Sequence, residues 1–309
     1  MVSNSGRCVS VALAADKNIL SGLHVTLLSA LDRLSEKYQF DIHLFSDSLD
    51  QNDLDSVRRT LDPVEKDYML KLEHVDTGRL KSTFPSSGVA RFSGWLPYAR
   101  LFMPAVLEID RFIYLDSDLV VGVDLANVLG HEMDGALGAV SWHKRSESMD
   151  SRFFDRIGED AEVPYFNSGV LLIDRQRWLE DSATEECLEL AAKHGSEMPS
   201  ADQTLLNLVY GKNFLALPRR FNTPISAERR KLKPTDVENR VIHLLGKPKP
   251  WDPLGKYFNG QYSYFEEYFR RTSLVNSKAS KGNRWKSVAM IARHLRAYRK
   301  CAQSLYFGG

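Results

Sequence analysis

Two carboxylates, Asp116 and Asp118, stand on either side of Ser117 at the end of the apolar, β-prone run Phe112-Ile113-Tyr114-Leu115. Residues two apart in extended chain point to the same side, so both acids can face one point in space. Carboxylates that close repel unless something positive lies between them, and a hard divalent cation would fill that role. The same spacing also suits solvated acids capping a turn, so the pair alone leaves both readings open. His243, in the short apolar run from Val241 to Leu245, is the best candidate for a third ligand. Two carboxylates and an imidazole fit Mn2+, with Mg2+ as the second choice, better than Zn2+. A lone histidine in such a run can equally be a core residue.

The residues after His243 bear on that choice. Gly246-Lys247-Pro248-Lys249-Pro250-Trp251 is a basic turn stiffened by two prolines. Gly246 lets a backbone N–H approach an anion, and Lys249 adds a point charge three residues on. A diphosphate beside a divalent cation would use all three groups, whereas a plain surface loop would need none of them. Arg100 can reach phosphate or sugar hydroxyls from a helix, or simply charge a helix face. Asn167 and the pair Asp202-Gln203 are compact groups able to hydrogen-bond sugar hydroxyls, and Asp202 also suits the first turn of a helix.

Such groups need a scaffold, and the hydrophobic pattern predicts one. Cys8 to Ala14 reads as a buried strand, and Leu20, Leu23, Leu27, Leu28, Leu31 and Leu34 recur at helical spacing. Phe40 to Phe45 predicts a second strand, Asp50 to Leu61 a helix closed by Pro63, and Met69 to Val75 a third strand. Strands alternating with helices argue for an α/β fold with a mostly parallel sheet, because parallel neighbours need a crossover. Ligands bind such sheets beyond the carboxyl ends of the strands, where Asp16, Asn18, Asp116 and Asp118 would lie. Further on, Lys81 to Gly94 reads as a mobile loop rich in Ser, Pro and Gly, and Tyr98 to Leu107 as a helix. Ala136 to Ser141 and Phe166 to Ile173 read as strands, separated by His143 to Pro164, a long polar insertion of the kind that forms a lid or a binding loop. Helices are predicted from Arg175 to His194 and from Ser200 to Tyr210.

At 309 residues, with 43% apolar and 26% charged content, the chain can bury a sizeable core. The net charge of +1 hides an asymmetry: ten Lys or Arg and no acid fall between Tyr268 and Gly309, leaving 31 basic against 40 acidic residues before them. Cys8, Cys187 and Cys301 are scattered, with no metal-ligand spacing, as suits reduced thiols. The short N-terminal apolar run and the lack of any transmembrane-length stretch predict a cytoplasmic protein.

Taken in order, Ala14-Ala15-Asp16-Lys17-Asn18, Tyr98-Ala99-Arg100, Tyr114-Leu115-Asp116-Ser117-Asp118, Phe166-Asn167-Ser168-Gly169-Val170-Leu171-Leu172-Ile173, Asp202-Gln203 and His243-Leu244-Leu245-Gly246-Lys247-Pro248-Lys249-Pro250-Trp251 resemble the retaining glycosyltransferases of family 8. That group contains bacterial lipopolysaccharide galactosyl- and glucosyltransferases, and the resemblance covers roughly residues 8 to 255. It implies a GT-A-like fold over 1–255, a UDP-sugar donor such as UDP-galactose or UDP-glucose, and Mn2+ on the diphosphate. Asp116, Asp118 and His243 match the metal ligands; Ala14, Asp16 and Asn18 match uridine contacts, with Ser117 placed beside them. Gly246 and Lys249 match diphosphate contacts, and Arg100, Asn167, Asp202 and Gln203 surround the transferred sugar. Lys17 departs from the acidic or neutral residue expected in its loop, and Trp142-His143 stands where an acid near the sugar or acceptor is common.

The implied acceptor is a hydroxyl of a glycan or lipid-linked saccharide. Gln203 is a weak nucleophile and Asp202 a possible one, which favours attack by the acceptor from the face that UDP leaves. Residues 256–309 read as a basic, aromatic-bearing helical extension, suited either to an anionic membrane surface or to packing on the body. No motif supports nucleic-acid binding. Two alternatives stand beside this reading. Asp116-Ser117-Asp118-Leu119-Val120 also fits the nucleophile motif of haloacid-dehalogenase-like phosphohydrolases, although no later acidic pair completes it. A non-catalytic sugar-nucleotide or glycan-binding protein is the other.

Overall fold

In the computed structural model, residues 7–84, 94–195, 197–227, 239–275 and 284–307 are described. The strands, in chain order, are β1 (Arg7–Ala14), β2 (Tyr38–Ser46), β3 (Tyr68–His74), β4 (Arg111–Leu115), β5 (Leu119–Val121), β6 (Leu137–Lys144), β7 (Pro164–Asp174), β8 (Leu215–Ala216), β9 (Thr223–Ser226) and β10 (Val241–Leu245). Seven form the main sheet, in the order β3-β2-β1-β4-β7-β6-β8, and β5-β10-β9 form a small second one. The mostly parallel sheet expected from the alternation is present: β1 runs parallel to β2 and β4, and β2 to β3. Among the described strands of the main sheet the direction reverses at β7, which is antiparallel to β4 and β6.

The helix Leu20–Arg33 explains how the two sheets join. Its residues from Gly22 to Leu31 are all buried, a wider apolar face than one sheet would require, because it packs against β5 as well as the helices Gln51–Leu61 and Ser263–Phe269. Two polar side chains on that face serve the short strand. Thr26 Oγ1 both accepts from Leu119 N at 2.9 Å and donates to Leu119 O at 3.0 Å, while Ser29 Oγ accepts from Val121 N at 2.9 Å. The backbone of β5 thus keeps its hydrogen bonds although it leaves the main sheet.

Several local expectations change. The lid or binding loop expected from His143 to Pro164 is instead folded into the body: β6 runs to Lys144 and a helix covers Ser151–Ile157. Arg145 and Asp150 are fully buried there, and Arg145 ion-pairs with Glu159 at 2.6 Å. Polarity misled the reading because these charged groups are paired inside rather than solvated. The expected helix from Tyr98 to Leu107 is a 3-10 turn, Leu96–Leu101, followed by a single α turn, Met103–Val106. Pro104 has no N–H to continue a helix from the preceding turn. The helix expected from Arg175 to His194 breaks into Arg175–Glu180 and Ala183–His194 at Ser182, whose φ is +52°. Of the predicted loop from Lys81 to Gly94, the first residues belong to the helix Thr77–Thr83, and 85–93 lie outside the described residues.

Beyond residue 255 the chain returns to the same core. Phe258, Tyr262, Phe265, Tyr268, Tyr298 and Cys301 join the cluster built on β1, β2 and the helix Leu20–Arg33. Tyr298 Oη donates to Pro253 O at 2.7 Å. Two helices, Arg284–Arg293 and Leu295–Phe307, lie in the basic extension expected over 256–309, of which residues 276–283 and 308–309 lie outside the described residues.

Candidate active site

Parallel β1 and β4 end side by side, with Ala12 paired to Tyr114, so the loops after Ala14 and Leu115 meet at one edge of the sheet. Ser117 Oγ donates to Ala14 O at 3.0 Å and ties the two loops together. The helix Leu20–Arg33 presses on the same loop: a Cβ on Gly22 would lie 2.3 Å from Ser117 O. Small β10 then brings His243 to this edge, because it pairs antiparallel with β5, immediately after the acid pair.

Asp116, Asp118 and His243 offer ligand atoms that all lie within 4.8 Å of one another. Each carboxylate has one oxygen on a basic side chain and the other facing the imidazole. Asp116 Oδ1 accepts from Arg100 Nη2 and Tyr114 Oη, both at 2.9 Å, while Oδ2 lies 3.5 Å from His243 Nε2. Asp118 Oδ2 is 2.6 Å from Lys249 Nζ, and Oδ1 is 3.1 Å from His243 Nε2. That Oδ1 is buried without a hydrogen-bond partner. Burial pushes the Asp118 carboxyl up, but the Lys249 ammonium and the His243 imidazole outweigh it and hold it well below the usual carboxylate range.

Arg100 is buried behind the acids rather than open to a ligand. It donates to Ser168 O at 2.7 Å and Pro97 O at 3.0 Å, and its guanidinium lies 4.2 Å from the centre of the Tyr114 ring. Asp202 Oδ2 is 3.0 Å from Arg100 Nε, an ion-pair contact without hydrogen-bond alignment. Burial raises the Asp202 carboxyl to about 6, with Arg100 opposing and Asp116 assisting. Arg100 loses by burial but gains more from Asp202, Tyr114 and Asp116, so its guanidinium is held more firmly charged than usual.

The sequence-selected amides lie beside this cluster. Gln203 Oε1 accepts from Asn167 Nδ2 at 2.9 Å and Ser168 N at 3.1 Å. Asn167 Oδ1 and Asn222 Oδ1 are each 3.0 Å from His243 Nδ1. Gly246 has φ +71°, a conformation glycine adopts freely, and a Cβ there would meet only Ser226, at 3.9 Å. Lys249 Nζ also contacts Leu244 O, and its backbone N donates to Asp252 Oδ2 at 2.8 Å. By contrast, Asp16 and Asn18 bond each other, at 2.8 and 3.0 Å, and stand apart from the acid pair in the contacts of the described residues. Lys17, the departing residue, turns to Asp50 at 2.7 Å and Asp53 at 3.4 Å. The other departing pair is engaged as well: Trp142 Nε1 donates to Asn222 O at 2.7 Å and the His143 ring stacks on Tyr165 at 5.6 Å.

Two residues of this site had no role in the sequence reading. Gly169 sits in the quoted Phe166-Asn167-Ser168-Gly169 run, yet only the structure shows why it is glycine. A Cβ there would lie 2.1 Å from His243 Cε1 and 2.9 Å from Asp116 Oδ2. Asn222 follows an ordinary Arg-Arg-Phe run and carried no local signal.

The chain matches the family model described as glycosyl transferase family 8 over residues 10–255. It belongs to glycosyltransferase family 8. Among family relatives, it is 27% identical over 274 residues to a lipopolysaccharide 1,2-glucosyltransferase of Escherichia coli K12, covering 84% of this chain and 77% of that protein. It is 26% identical over 274 residues to a lipopolysaccharide 1,3-galactosyltransferase of Salmonella typhimurium LT2, covering 82% of this chain and 76% of that one. A crystal structure of the galactosyltransferase LgtC, with donor and acceptor sugar analogues, superposes with a TM-score of 0.71 at 21% identity, over 87% of this chain and 98% of that one. At that identity the likeness speaks for the fold, and it is the GT-A-like architecture that the family resemblance implied.

Proposed function

We propose that this family 8 member is a metal-dependent, retaining hexosyltransferase that moves galactose or glucose from a UDP-sugar to a hydroxyl of a glycan or lipid-linked saccharide. The observation that supports this most is the convergence of Asp116 Oδ2, Asp118 Oδ1 and His243 Nε2, with Asp118 Oδ1 buried and unbonded. Two carboxylate oxygens and one imidazole nitrogen suit Mn2+, with Mg2+ second. When bound, the cation would supply Lewis-acid stabilisation of the leaving diphosphate.

The chain's own residues do the rest. Lys249 and the Gly246 amide are proposed to receive negative charge on the departing UDP, and such fixed donors act most strongly where water is excluded. Asp16, Asn18, Ala14 and Ser117 line the loop pair at the end of β1 and are proposed to hold the uridine. Asn167, Arg100, Asp202 and Gln203 are proposed to frame the sugar. A double displacement would need a free nucleophile. Arg100 bridges Asp116 and Asp202, Asp202 is held partly neutral near pH 6, and Gln203 Oε1 already accepts two N–H groups. These engagements support attack by the acceptor hydroxyl on the face that UDP leaves, without a glycosyl-enzyme.

The catalytic unit is proposed to span 1–255, with 256–309 buttressing it. No helix among the described residues is long and apolar enough to cross a membrane. On the helices after 284, Val288 and Leu295 are exposed beside Arg293, Arg296, Arg299 and Lys300, while Tyr298 and Cys301 face the core. That sidedness supports peripheral contact with an anionic cytoplasmic membrane face. Family membership sets the phosphohydrolase reading aside. Incubation with UDP-glucose or UDP-galactose and a saccharide acceptor should release UDP only with Mn2+ or Mg2+, and Asp118→Asn should abolish release. Binding of UDP-sugar without any turnover would instead favour a binding protein.

A further inference from the structure

The imidazole at the centre of the site is the end of a longer construction. His243 Nδ1 faces Asn222 Oδ1 at 3.0 Å, and Asn222 Nδ2 donates to Asn167 Oδ1 at 2.7 Å. Asn167 Nδ2 donates to Gln203 Oε1 at 2.9 Å, and Gln203 Nε2 to Tyr165 Oη at 2.8 Å. Tyr165 Oη in turn donates to Asp150 Oδ2 at 2.8 Å. The groups come from the start of the helix Ser151–Ile157, β7, the helix Asp202–Tyr210, the turn before β9, and β10, so the chain of bonds crosses from the main sheet to the small one.

Its direction is not free. A backbone N–H can only donate, and two of them meet the chain from the side. Gly169 N donates to Asn167 Oδ1 at 3.0 Å, which fixes that amide's oxygen, and therefore its Nδ2 must be the group facing Gln203. Ser168 N donates to Gln203 Oε1 at 3.1 Å and fixes the second amide in the same sense. With Asn167 Oδ1 an acceptor, Asn222 must turn its Nδ2 toward it and its oxygen toward His243. At the far end Asp150 receives Ser200 Oγ and Thr204 Oγ1, each at 2.6 Å, besides Tyr165, and so acts only as an acceptor. Asp150 is fully buried and lies outside the candidate metal ligands and the sugar-framing set.

We infer that Asp150 and Tyr165 are remote positioning residues: they hold Gln203, and through it Asn167 and Asn222, in the sense that the Ser168 and Gly169 N–H groups also favour, so that neutral His243 is kept as the Nδ1–H tautomer, which leaves the Nε2 lone pair toward Asp116 and Asp118. The same chain holds the Gln203 amide in one orientation at the sugar-framing side. Partners of this kind orient a metal-binding imidazole and raise its affinity for the ion. Bonds aligned in one sense also polarise each other. The inference rests on the metal reading of the site.

The test uses the full chain, metal-free, at a pH where the imidazole is neutral. Long-range 1H–15N correlation spectra, with His243→Gln supplying the assignment, report which ring nitrogen carries the hydrogen. Wild type is expected to show Nδ1–H at His243; an Nε2–H ring overturns the inference without any variant. Tyr165→Phe removes both bonds of the hydroxyl, to Gln203 and to Asp150, at nearly constant shape. It should give mixed tautomers at His243 and weaken Mn2+ binding, followed by the ion's paramagnetic signal, roughly 10-fold. Asp150→Asn, a second and nearly isosteric change, should act in the same direction if Tyr165→Phe fails to fold. Unchanged tautomer and Mn2+ affinity in a folded variant would overturn the proposed linkage. If wild type binds no Mn2+, the functional reading fails, while the tautomer measurement still decides the orientation.

Discussion

The two halves of the main sheet share an apolar core and differ in the polar seam that runs along one of them. On the β3-β2-β1 side the strands run parallel, Val9, Val11, Leu13, Phe40, Ile42 and Leu44 are fully buried, and the helix Leu20–Arg33 closes over them. Across β4 the sheet reverses at β7, where Leu137, Val170, Leu171, Leu172 and Ile173 are as fully buried, and a seam of buried polar groups runs along its edge: Arg100, Asp202, Asn207, Asn222, His243 and Lys249. Apolar packing tolerates rearrangement because its attraction has no direction. A polar seam has fixed donor and acceptor geometry, and a group that loses its partner there carries a desolvation penalty. The apolar half should therefore respond to change through stability, and the polar seam through function.

The strongest way to break that contrast is Gly169→Ala. The new Cβ would meet His243 Cε1 at 2.1 Å and Nδ1 at 2.6 Å, so the imidazole must move, while the backbone stays in a strand that alanine can join. Displacement of a reacting group by about 1 Å typically lowers catalysis roughly 100-fold. Overpacking typically lowers stability by about 1–3 kcal/mol. Transfer rate and Mn2+ affinity are expected to collapse together, with the variant still folded by circular dichroism. Wild-type Mn2+ affinity in that variant would mean the seam has slack.

This pair of halves also explains what could be read from the chain alone. The apolar run from Cys8 to Ala14, the repeating leucines from Leu20 to Leu34 and the apolar run from Phe112 specify β1, the first helix and β4 by local pattern, and the two acids follow directly. His243 was reachable because it opens the distinctive run ending at Trp251. Asn222 and Gly169 were not, since their roles exist only after β10 crosses to β5 and brings residues from distant positions within 3 Å of one another. The segment from His143 to Pro164 misled for a related reason. Its charged residues have partners elsewhere in the chain, such as Arg145 with Asn207 O and Asp150 with Ser200 and Thr204.

A second, smaller effect sharpens the apolar half. His24 is fully buried on the helix Leu20–Arg33, with Nδ1 2.7 Å from Thr60 Oγ1. Burial, with help from the Arg59 charge, lowers its imidazole to about 4 from the usual 6.5. The folded state therefore resists a proton that the unfolded state accepts below pH 6.5. The resulting stability is fully present above pH 6.5 and is lost as pH falls through about 4, amounting to about 3 kcal/mol. Chemical denaturation from pH 7 to pH 4 should show wild type losing more stability than His24→Gln over that window. Parallel curves would place the charge elsewhere and remove the example from the apolar side.

The smallest effect tests where the scaffold ends and the site begins. Lys17 stands in the loop after β1 that is proposed to hold uridine, and it departs from the family's usual residue there. Its ammonium nonetheless lies on Asp50 at 2.7 Å and Asp53 at 3.4 Å, the two acids of a capping box at the start of the helix Gln51–Leu61. Both Lys17 and Asp50 are about half exposed, and exposed pairs of this kind contribute little. Lys17→Ala should leave the donor KM within about twofold and the melting temperature nearly unchanged, because the box still satisfies its own N–H groups through Asp50 Oδ1. A tenfold or larger rise in donor KM would show that the ammonium leaves the cap for the donor, and the loop would then belong to the reactive seam rather than to the scaffold.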